Sequence, residues 1–213
     1  MNDVILAYSR LPRQLPAELR AHWRARLSPA RALRLSADPC AQARSLLGVA
    51  LACRLLSAAS GRCIEPCALR YTPFGKPHVP GLPAFSIAHA GDWVVCALAS
   101  TGEVGVDIEP LARPEALPAW RGVFDAEELK VARSTRAALA IWTAKEATVK
   151  AAGGGFAELA QVRVRARELR FRGRRWHSRA PRIAPGVIAR LVTSRPVARF
   201  EPTAVPVAAA LAT

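Results

Sequence analysis

Two acidic side chains lie two positions apart in residues 105–109, which read Gly-Val-Asp-Ile-Glu. The alternation predicts a β-strand with Asp107 and Glu109 on one face and with Val106 and Ile108 facing the core. Two carboxylates held side by side repel each other unless a cation lies between them. The pattern therefore indicates either a cation site or an exposed strand end whose acids pair with arginines.

An acidic and a basic side chain also lie on one face of a predicted helix in residues 142–150. Trp142, Glu146 and Lys150 recur every four residues, which aligns them along that face. Glu146 followed by Lys150 is also the favourable order for a surface ion pair, and Trp142 is typical of a core residue. On its own, this pattern is more often structural than functional.

A third candidate set lies earlier in the chain, in residues 74–77 and 85–93. Gly75 would let the backbone approach a ligand closely, and Lys76 supplies a mobile cation. His89 lies at the turn between two predicted strands. Taken alone, this histidine is more typical of a hydrogen-bonded turn residue than of a ligand.

The elements that must hold these residues are predicted from periodicity and from turn residues. Residues 15–27 and 39–60 read as helices. Asp125 and Glu128 form a capping box before an interrupted helical stretch that ends near residue 152. Strands are predicted as a hairpin within residues 84–99 and as single segments at 104–108, 162–171 and 187–193.

Composition is that of an ordinary globular chain. The 213 residues are 51% hydrophobic and 22% charged, which excludes wholesale disorder and suffices for one large or two small domains. No stretch approaches the ~18 uninterrupted apolar residues of a membrane helix, because Arg54 cuts the longest candidate, residues 46–59. The N-terminus lacks a secretory signal, so we expect a cytoplasmic protein.

The net charge of +15 favours anionic partners, such as nucleic acid, phosphorylated small molecules, acidic proteins or lipid surfaces. Lysines are rare among the 31 basic residues, yet Lys76, Lys145 and Lys150 all lie within the segments described above. A compact ammonium is not interchangeable with a planar guanidinium at a tight phosphate site. These lysines are therefore candidates for contact with phosphate.

The five cysteines are an odd number without a secretory context, which disfavours a disulfide framework. Cys63 and Cys67 are close in sequence, but no second close pair or nearby histidine completes a tetrahedral zinc site. We therefore expect buried free thiols.

Taken together and in this order, four motifs resemble those of the 4′-phosphopantetheinyl transferases, in the larger, surfactin-synthetase-activating form. The resemblance covers about residues 44–155. The Lys-Glu-Ala form of the last motif, rather than Lys-Glu-Ser, is similar to the branch with a broader range of carrier proteins. The motifs are Gly-Lys-Pro at 75–77, His-x-Gly-x-Trp at 89–93, Gly-Val-Asp-Ile-Glu at 105–109 and Trp-Thr-x-Lys-Glu-Ala-x-x-Lys at 142–150.

The resemblance implies an α+β fold of two pseudo-twofold-related lobes, each a long helix packed on a small antiparallel sheet. Residues 1–103 would form the N-terminal lobe, on the phosphate and adenine side of coenzyme A. Residues 104–213 would carry the metal site and the transfer helix, with no role assigned to the tail after about residue 181. The active site would lie in the cleft between the lobes of a monomer.

The resemblance also implies an activity. The family transfers the 4′-phosphopantetheine arm of coenzyme A to a serine of an apo acyl or peptidyl carrier protein, with Mg²⁺, and releases adenosine 3′,5′-bisphosphate. Such carriers serve fatty-acid, polyketide and nonribosomal-peptide synthesis, and they are typically acidic around the modified serine. The implied partners are thus coenzyme A and an acidic carrier protein, with neither nucleic acid nor membrane.

Roles for individual residues follow from the same resemblance. Asp107, Glu109 and Glu146 would bind Mg²⁺ together with phosphate oxygens. Asp107 would also count as catalytic, while Glu146 would help remove the serine proton and Lys150 would stabilise charge as the bridging bond breaks. Coenzyme A would be bound by basic and polar side chains, namely Arg31, Arg34, Arg44, Ser45, Lys76, His89 and Lys145.

One departure from the family pattern concerns the neighbours of His89. The family usually places a hydroxyl residue directly before this histidine, whereas Ala88 and Ala90 flank it here. A lost phosphate hydrogen bond weakens binding by about 1 kcal/mol. Ser86, on the same strand face as position 88, is the candidate to replace the missing hydroxyl.

Two alternative functions remain. The flanking alanines motivate a non-catalytic paralogue that binds a carrier protein or coenzyme A. Acids near a basic surface also suit a metal-dependent nuclease, but Phe, Tyr and Trp total only 6%, and neither a stacking platform nor a nucleic-acid-binding motif is visible.

Overall fold

The computed structural model describes residues 2–12, 15–112, 120, 122–166 and 168–212. Its strands are β1 (Asn2–Arg10), β2 (Arg70–Tyr71), β3 (Pro77–His78), β4 (Ala84–Ala90), β5 (Trp93–Ala99), β6 (Val104–Pro110), β7 (Arg163–Val164), β8 (Leu169–Phe171), β9 (Arg174–Arg179), β10 (Val187–Thr193) and β11 (Val197–Ala204). Its α-helices are α1 (Ala17–Ala25), α2 (Pro29–Leu33), α3 (Pro39–Ser60), α4 (Ala126–Val131), α5 (Thr135–Ala152) and α6 (Val207–Leu211), and two 3₁₀ turns span Pro66–Ala68 and Phe156–Gln161.

These elements pack in four layers: a helix, two β-sheets and a second helix. α3 covers the outer face of the first sheet, whose strand order is β11-β1-β5-β4. α5 covers the outer face of the second sheet, ordered β6-β10-β9-β8-β7, and the inner faces of the two sheets meet. The prediction of an α+β fold is thereby confirmed.

Three apolar cores join the layers. Leu51 of α3 belongs to the core against the first sheet, and Leu139 of α5 belongs to the core against the second. Leu6, Val95 and Val106 meet between the two sheets. Full burial of an aliphatic side chain of this size contributes about 1.5–3 kcal/mol, so the cores fix the relative placement of the layers.

The long helix α3 begins and ends at the residues predicted from the sequence. The Asp38 side chain accepts a hydrogen bond from the amide of Ala41, and Gly61 ends the helix in the left-handed conformation at φ 67°. By length and composition alone, α3 is the one helix in the described part of the chain that could cross a membrane. However, 61% of its most apolar window is buried in the protein, as in a core helix.

The C-terminal segment completes the first sheet. β11 pairs with β1 in parallel, and α6 packs on α3. The first sheet is therefore mixed rather than antiparallel as expected, and it includes residues from the predicted C-terminal half, 104–213. The tail after residue 181 therefore has a structural role in both sheets, since it also contains β10.

Three smaller expectations also need correction. The sequence analysis predicted helices over residues 15–27 and 39–60 but no element before them, whereas the described chain begins with the strand β1. Residues 162–171 form the hairpin β7–β8 rather than one strand, because the chain reverses between Arg165 and Glu168. The cysteines are free as expected, but Cys40, Cys63 and Cys67 are exposed.

Candidate active site

The strand β6 and the helix α5 touch directly because Gly105 has no side chain. A Cβ at this position would overlap the carbonyl oxygen of Ala147 and lie 2.5 Å from the amide nitrogen of Ala151. The close approach brings Asp107 of β6 against the C-terminal turns of α5, where Glu146 and Lys150 lie. Two motifs identified separately in the sequence therefore meet at one point.

Asp107 is at the centre of this contact. Its side chain is 4% exposed, and its Oδ1 accepts a hydrogen bond from Nζ of Lys150 at 2.6 Å. The other oxygen, Oδ2, is buried and has no hydrogen-bond partner among the described residues. Leaving a buried acceptor unsatisfied costs free energy, so this oxygen is suited to receive a ligand such as a metal ion.

The ammonium of Lys150 lies between two carboxylates. Its Nζ is 2.6 Å from Oδ1 of Asp107 and 3.7 Å from Oε2 of Glu146. Burial raises the pKa of Asp107 to about 8, against the opposing effect of Lys150. Burial disfavours the charged amine, but the charges of Asp107 and Glu146 raise the pKa of Lys150 above its usual value. A cation thus already neutralises part of this acidic pair.

The predicted metal ligands lie near each other without forming a ready metal site. Within the described ranges, no three His, Cys, Asp or Glu side chains are arranged to hold a metal ion. Glu109 is half-buried towards the end of β6, and its charge, like that of Glu146, contributes to the raised pKa of Asp107. The three-carboxylate site therefore stays a prediction, with the Lys150 ammonium placed between two of its members.

Positive charge converges on His89 at the end of β4. Desolvation lowers the pKa of this histidine, and the charges of Arg44, Lys150 and Arg31 act in the same direction. These three cations come from α3, α5 and α2, so separate parts of the chain supply them. Such a set is suited to a ligand that carries several negative charges.

Close packing of α3 on β4 holds Arg44 in this position. A Cβ on Gly48 would lie 2.6 Å from Cγ2 of Ile87, so only glycine permits the observed approach. Arg44 donates from Nη1 to the carbonyl oxygen of Gly91 at 3.4 Å. The neighbouring Ser45 is half-buried, and its side chain makes no polar contact with other described residues.

The two arginines of the α2 region differ in their surroundings. Arg31 donates from Nε to the hydroxyl of Tyr71 at 3.3 Å and lies over its ring, 5.4 Å from the centroid. Arg34 is exposed, and its side chain has no polar partner in the described part of the chain. The structure therefore brings Arg31, but not Arg34, into the cationic set around His89.

Lys76 is held by the protein itself. Its Nζ lies 2.5 Å from Oε2 of Glu103 and 2.6 Å from the carbonyl oxygen of Ala151, and the side chain is 13% exposed. The ammonium is thus shared between a carboxylate and a helix end rather than left open to a phosphate. Sequence reasoning missed Glu103, because no local pattern links it to a lysine 27 positions away.

The structure places Lys145 in the interior and not among the cations around His89, contrary to its predicted role in binding coenzyme A. This lysine is fully buried, and its Nζ lies 2.8 Å from Oε2 of Glu128 and donates to the carbonyl oxygen of Val162. Burial lowers the pKa of Lys145, and the hydrogen bond and charge of Glu128 oppose that shift. The residue ties α5 to α4 and to the segment before β7, where no substrate can reach it.

Glu128 was predicted as the N3 residue of a capping box, and that role is confirmed. Its Oε2 accepts from the amide of Asp125 at 2.9 Å, and the Asp125 side chain accepts from the amide of Glu128. Its Oε1 also accepts from the amide of Val164 at 2.8 Å. The ion pair between Glu128 and Lys145 was not predicted from the sequence. The signal that could have indicated it is a lysine within an otherwise apolar turn of the helix.

Ser86 does not replace the hydroxyl missing beside His89. It is buried, and its Oγ accepts a hydrogen bond from the amide of Val106 at 3.1 Å, which joins β4 to β6. Ala88, on the same strand face, is buried between the two sheets. The hydroxyl proposed from the sequence as a replacement therefore takes part in the contact between β4 and β6 instead.

Comparison with known proteins agrees with this arrangement. Residues 103–197 match the family model of the 4′-phosphopantetheinyl transferase superfamily. A 4′-phosphopantetheinyl transferase of Bacillus subtilis is 30% identical over 109 residues, which cover 46% of this chain and 48% of that protein. The corresponding enzyme of Aneurinibacillus migulanus is 32% identical over 117 residues, which cover 53% and 49%.

The matches extend beyond these genera. The transferase AcpT of Salmonella typhi is 36% identical over 104 residues, which cover 43% of this chain and 53% of that protein. The chain spans about half the length of the curated relatives it matches. The matched family segment includes the strand with Asp107 and the helix with Glu146 and Lys150. The resemblance drawn from the motifs is confirmed: residues 103–197 match the model of the 4′-phosphopantetheinyl transferase superfamily, and this segment contains two of the four motifs.

Proposed function

We propose that this protein transfers the 4′-phosphopantetheine arm of coenzyme A to a serine of an acyl or peptidyl carrier protein. The observation that carries the proposal is the meeting of Asp107, Glu146 and Lys150 beside the cationic set around His89. Carboxylates suit a metal ion and a proton transfer, and clustered cations suit the phosphates of coenzyme A. The reaction would release adenosine 3′,5′-bisphosphate.

We propose Mg²⁺ as the metal ion of this reaction, because carboxylate oxygens are among the ligands it prefers. It would be held by Asp107, Glu109 and Glu146 together with oxygens of the pyrophosphate, since Mg²⁺ prefers a few carboxylates plus phosphate and water. The buried, unpartnered Oδ2 of Asp107 supports this assignment. When bound, the ion supplies neutralisation of the charge on the pyrophosphate.

The side chains of the site would have separate roles in the transfer reaction. The serine oxygen forms a bond to the phosphorus on the pantetheine side, and the bond from that phosphorus to the bridging oxygen breaks. Glu146 takes the serine proton, directly or through one water. Lys150 stabilises the negative charge that develops on the leaving bisphosphate. His89 and Arg44 hold and orient the phosphates, so positioning and charge neutralisation account for the chemistry.

The charge of the chain supports acidic partners. A net charge of +15 favours association with coenzyme A and with a carrier protein that is acidic around its serine. We propose that the protein acts as a cytoplasmic monomer on carriers of fatty-acid, polyketide or nonribosomal-peptide synthesis.

A direct assay tests the activity. The protein is mixed with coenzyme A, Mg²⁺ and several apo carrier proteins, and each carrier is weighed by mass spectrometry. We expect a phosphopantetheine-sized gain that disappears with Asp107→Ala and with Glu146→Ala. The control variant Glu168→Ala removes an exposed carboxylate paired with Arg170 and should retain the gain.

A second candidate is a non-catalytic protein that binds coenzyme A or a carrier. It is favoured by the absence of a hydroxyl at Ala88 and Ala90 and by the Ser86 hydroxyl, which binds the backbone of β6. Binding of coenzyme A without mass gain on any carrier would select this candidate. Metal-dependent cleavage of DNA or RNA in parallel reactions would instead select a nuclease.

A further inference from the structure

The ammonium of Lys76 joins three parts of the chain. It extends from the β2–β3 hairpin, and it contacts the carboxylate of Glu103 before β6 and the carbonyl oxygen of Ala151 near the end of α5. The Cδ of Lys76 also lies 3.6 Å from the position that a Cβ on Gly153 would occupy. The Lys76 side chain therefore links the N-terminal half of the molecule to α5, the helix that carries Glu146 and Lys150.

Backbone hydrogen bonds hold both residues of this ion pair, Glu103 and Lys76, in place. The amide of Glu103 donates to Oγ of Ser194 at 2.8 Å, and the Glu103 carbonyl accepts from the Ser194 amide at 3.0 Å. The amide of Lys76 donates to Oγ1 of Thr72 at 3.1 Å, within a turn where Gly75 adopts φ 83°. The ion pair thus links two ordered backbone segments.

The carbonyl of Ala151 is one of the last four of α5, which have no partner within a helix. The amides of Gly153 and Gly154 satisfy the preceding carbonyls of Val149 and Lys150. Lys76 supplies the donor for Ala151. A cation at a helix C-terminus is also favoured by the helix dipole.

We propose that Glu103 is a positioning residue, which holds the Lys76 ammonium on the end of α5 and so sets the placement of Glu146 and Lys150 against Asp107. The structural part of this proposal stands on the contacts alone, and its effect on catalysis rests on the proposed function. A misplacement of about 1 Å at a reacting group can lower a reaction rate by about 100-fold. The contact of Lys76 with Ala151, one residue beyond Lys150, therefore matters for the reaction.

A role for Lys76 in binding phosphate, rather than in positioning α5, makes a different prediction. If Lys76 instead serves as a phosphate ligand, the carboxylate of Glu103 competes with the phosphate for it. Removing that carboxylate would then lower the KM for coenzyme A. Under the positioning proposal, the same change lowers kcat and leaves this KM within about twofold, because the ammonium loses its hold on α5.

The first test needs no substrate. Hydrogen exchange is followed in the full-length protein over residues 149–155, in the wild type, Glu103→Ala and Glu103→Gln. We expect exchange about tenfold faster in Glu103→Ala and an intermediate rate in Glu103→Gln, which keeps a neutral acceptor. The matched control is Glu127→Ala, which breaks the exposed ion pair with Lys130 at 2.6 Å and should leave these amides unchanged. Unchanged exchange in Glu103→Ala would overturn the proposal.

The second test is kinetic. We expect kcat to fall about tenfold or more in Glu103→Ala, with partial recovery in Glu103→Gln. In a Lys76→Met background, Glu103→Ala should have no further effect, because the two residues act through one contact. A lower KM for coenzyme A with unchanged kcat would refute positioning in favour of competition. If the wild type modifies no carrier, the proposed function fails, while the exchange experiment still decides whether Glu103 fastens α5.

Discussion

Two residues at the candidate site show how burial sets the properties of a charge. Asp107 is buried with one oxygen against the Lys150 ammonium and the other without a partner. Desolvation, together with the surrounding positive charge, lowers the pKa of His89 in the protein without ligand. Each residue is therefore poised for a ligand of defined charge: a cation at Asp107 and an anion at His89.

The affinity for coenzyme A should depend on pH through His89. Its lowered pKa keeps the ring neutral at neutral pH, whereas a bound phosphate favours the protonated ring and raises the pKa. Binding then takes up a proton, so affinity should increase as the pH falls from about 8 to about 6. Titration calorimetry at several pH values measures this dependence.

The ligand's own phosphate also titrates, with a second pKa of about 6. Matched variants separate the titration of His89 from that of the phosphate. His89→Gln should remove the histidine-dependent part of the increase. His22→Gln, an exposed histidine on α1, should keep it. Identical pH profiles for the wild type and His89→Gln would contradict the role assigned here.

Lys145 and Glu128 form a second charged pair, in the interior and away from the site. Lys145→Met removes the buried cation 2.8 Å from Oε2 of Glu128 and leaves only Arg165, 3.7 Å from Oε1. We expect the free energy of unfolding to fall by about 3 kcal/mol. Urea unfolding measured by circular dichroism gives this value. Lys130→Met, which loses an exposed pair, should change it by less than about 1 kcal/mol.

Coenzyme A binding provides a second test of the conclusion that Lys145 pairs with Glu128 and does not contact the ligand. Under conditions where Lys145→Met is still folded, its affinity for coenzyme A should equal that of the wild type. A selective loss of affinity would restore the original prediction that Lys145 contacts the ligand.

At the level of elements, the contact between β6 and α5 determines whether the site exists. The sequence predicted both elements, because alternation and four-residue spacing are local patterns, and it predicted the capping box of Asp125 and Glu128 for the same reason. It could not show that Lys145 faces the interior while Lys150 lies between two acids. That distinction depends on Glu128 and Asp107, which are distant in the chain and near only after folding.

Gly105→Ala should separate the two elements. Its methyl group would overlap the backbone of α5 at Ala147, so α5 must move away from β6. We expect a loss of about 3 kcal/mol in the free energy of unfolding, because backbone atoms cannot rearrange as a side chain does. Chemical denaturation measures the loss, and kcat should fall with it.

Gly122→Ala is the matched control for this change. A Cβ at Gly122 would meet no atom of the described residues within 4 Å, so stability and rate should stay close to those of the wild type. Equal stability of the two variants would show that the contact of Gly105 with α5 is not what holds the elements together.

Considered as a whole, the molecule is a four-layer structure whose first sheet uses both ends of the described chain. The pairing of β1 with β11 joins residues about 195 positions apart, from Asn2 with Val197 onwards. No local pattern in the sequence can report such a pairing, which explains why β11 and α6 were left without a role. The resemblance to known enzymes did not help here, because the motifs that carry it end near residue 155.

Removal of residues 196–213 should destabilise the entire protein rather than a tail. It would uncover the edge of β1 and the part of α3 that contacts Ala210 and Leu211. Loss of the buried Val197 and Leu211 side chains alone costs about 3–6 kcal/mol, comparable to the total stability of many domains. Thermal unfolding and size-exclusion chromatography should show early melting and association through the open strand edge.

Removal of residues 212 and 213 alone should leave the melting temperature unchanged, because Ala212 is exposed. If the longer deletion melts like the full chain, the pairing of β11 with β1 contributes nothing to global stability.

The parallel pairing of β1 and β11 also bears on how the protein is made. During translation, β1 emerges before its neighbour β11, which follows only after residues 197–204 have left the ribosome. Until then, one side of β1 has no hydrogen-bonding strand, whatever the state of the layers already synthesised. During that interval the open edge of β1 can pair with another chain, so the unfinished protein is more prone to association than the finished one.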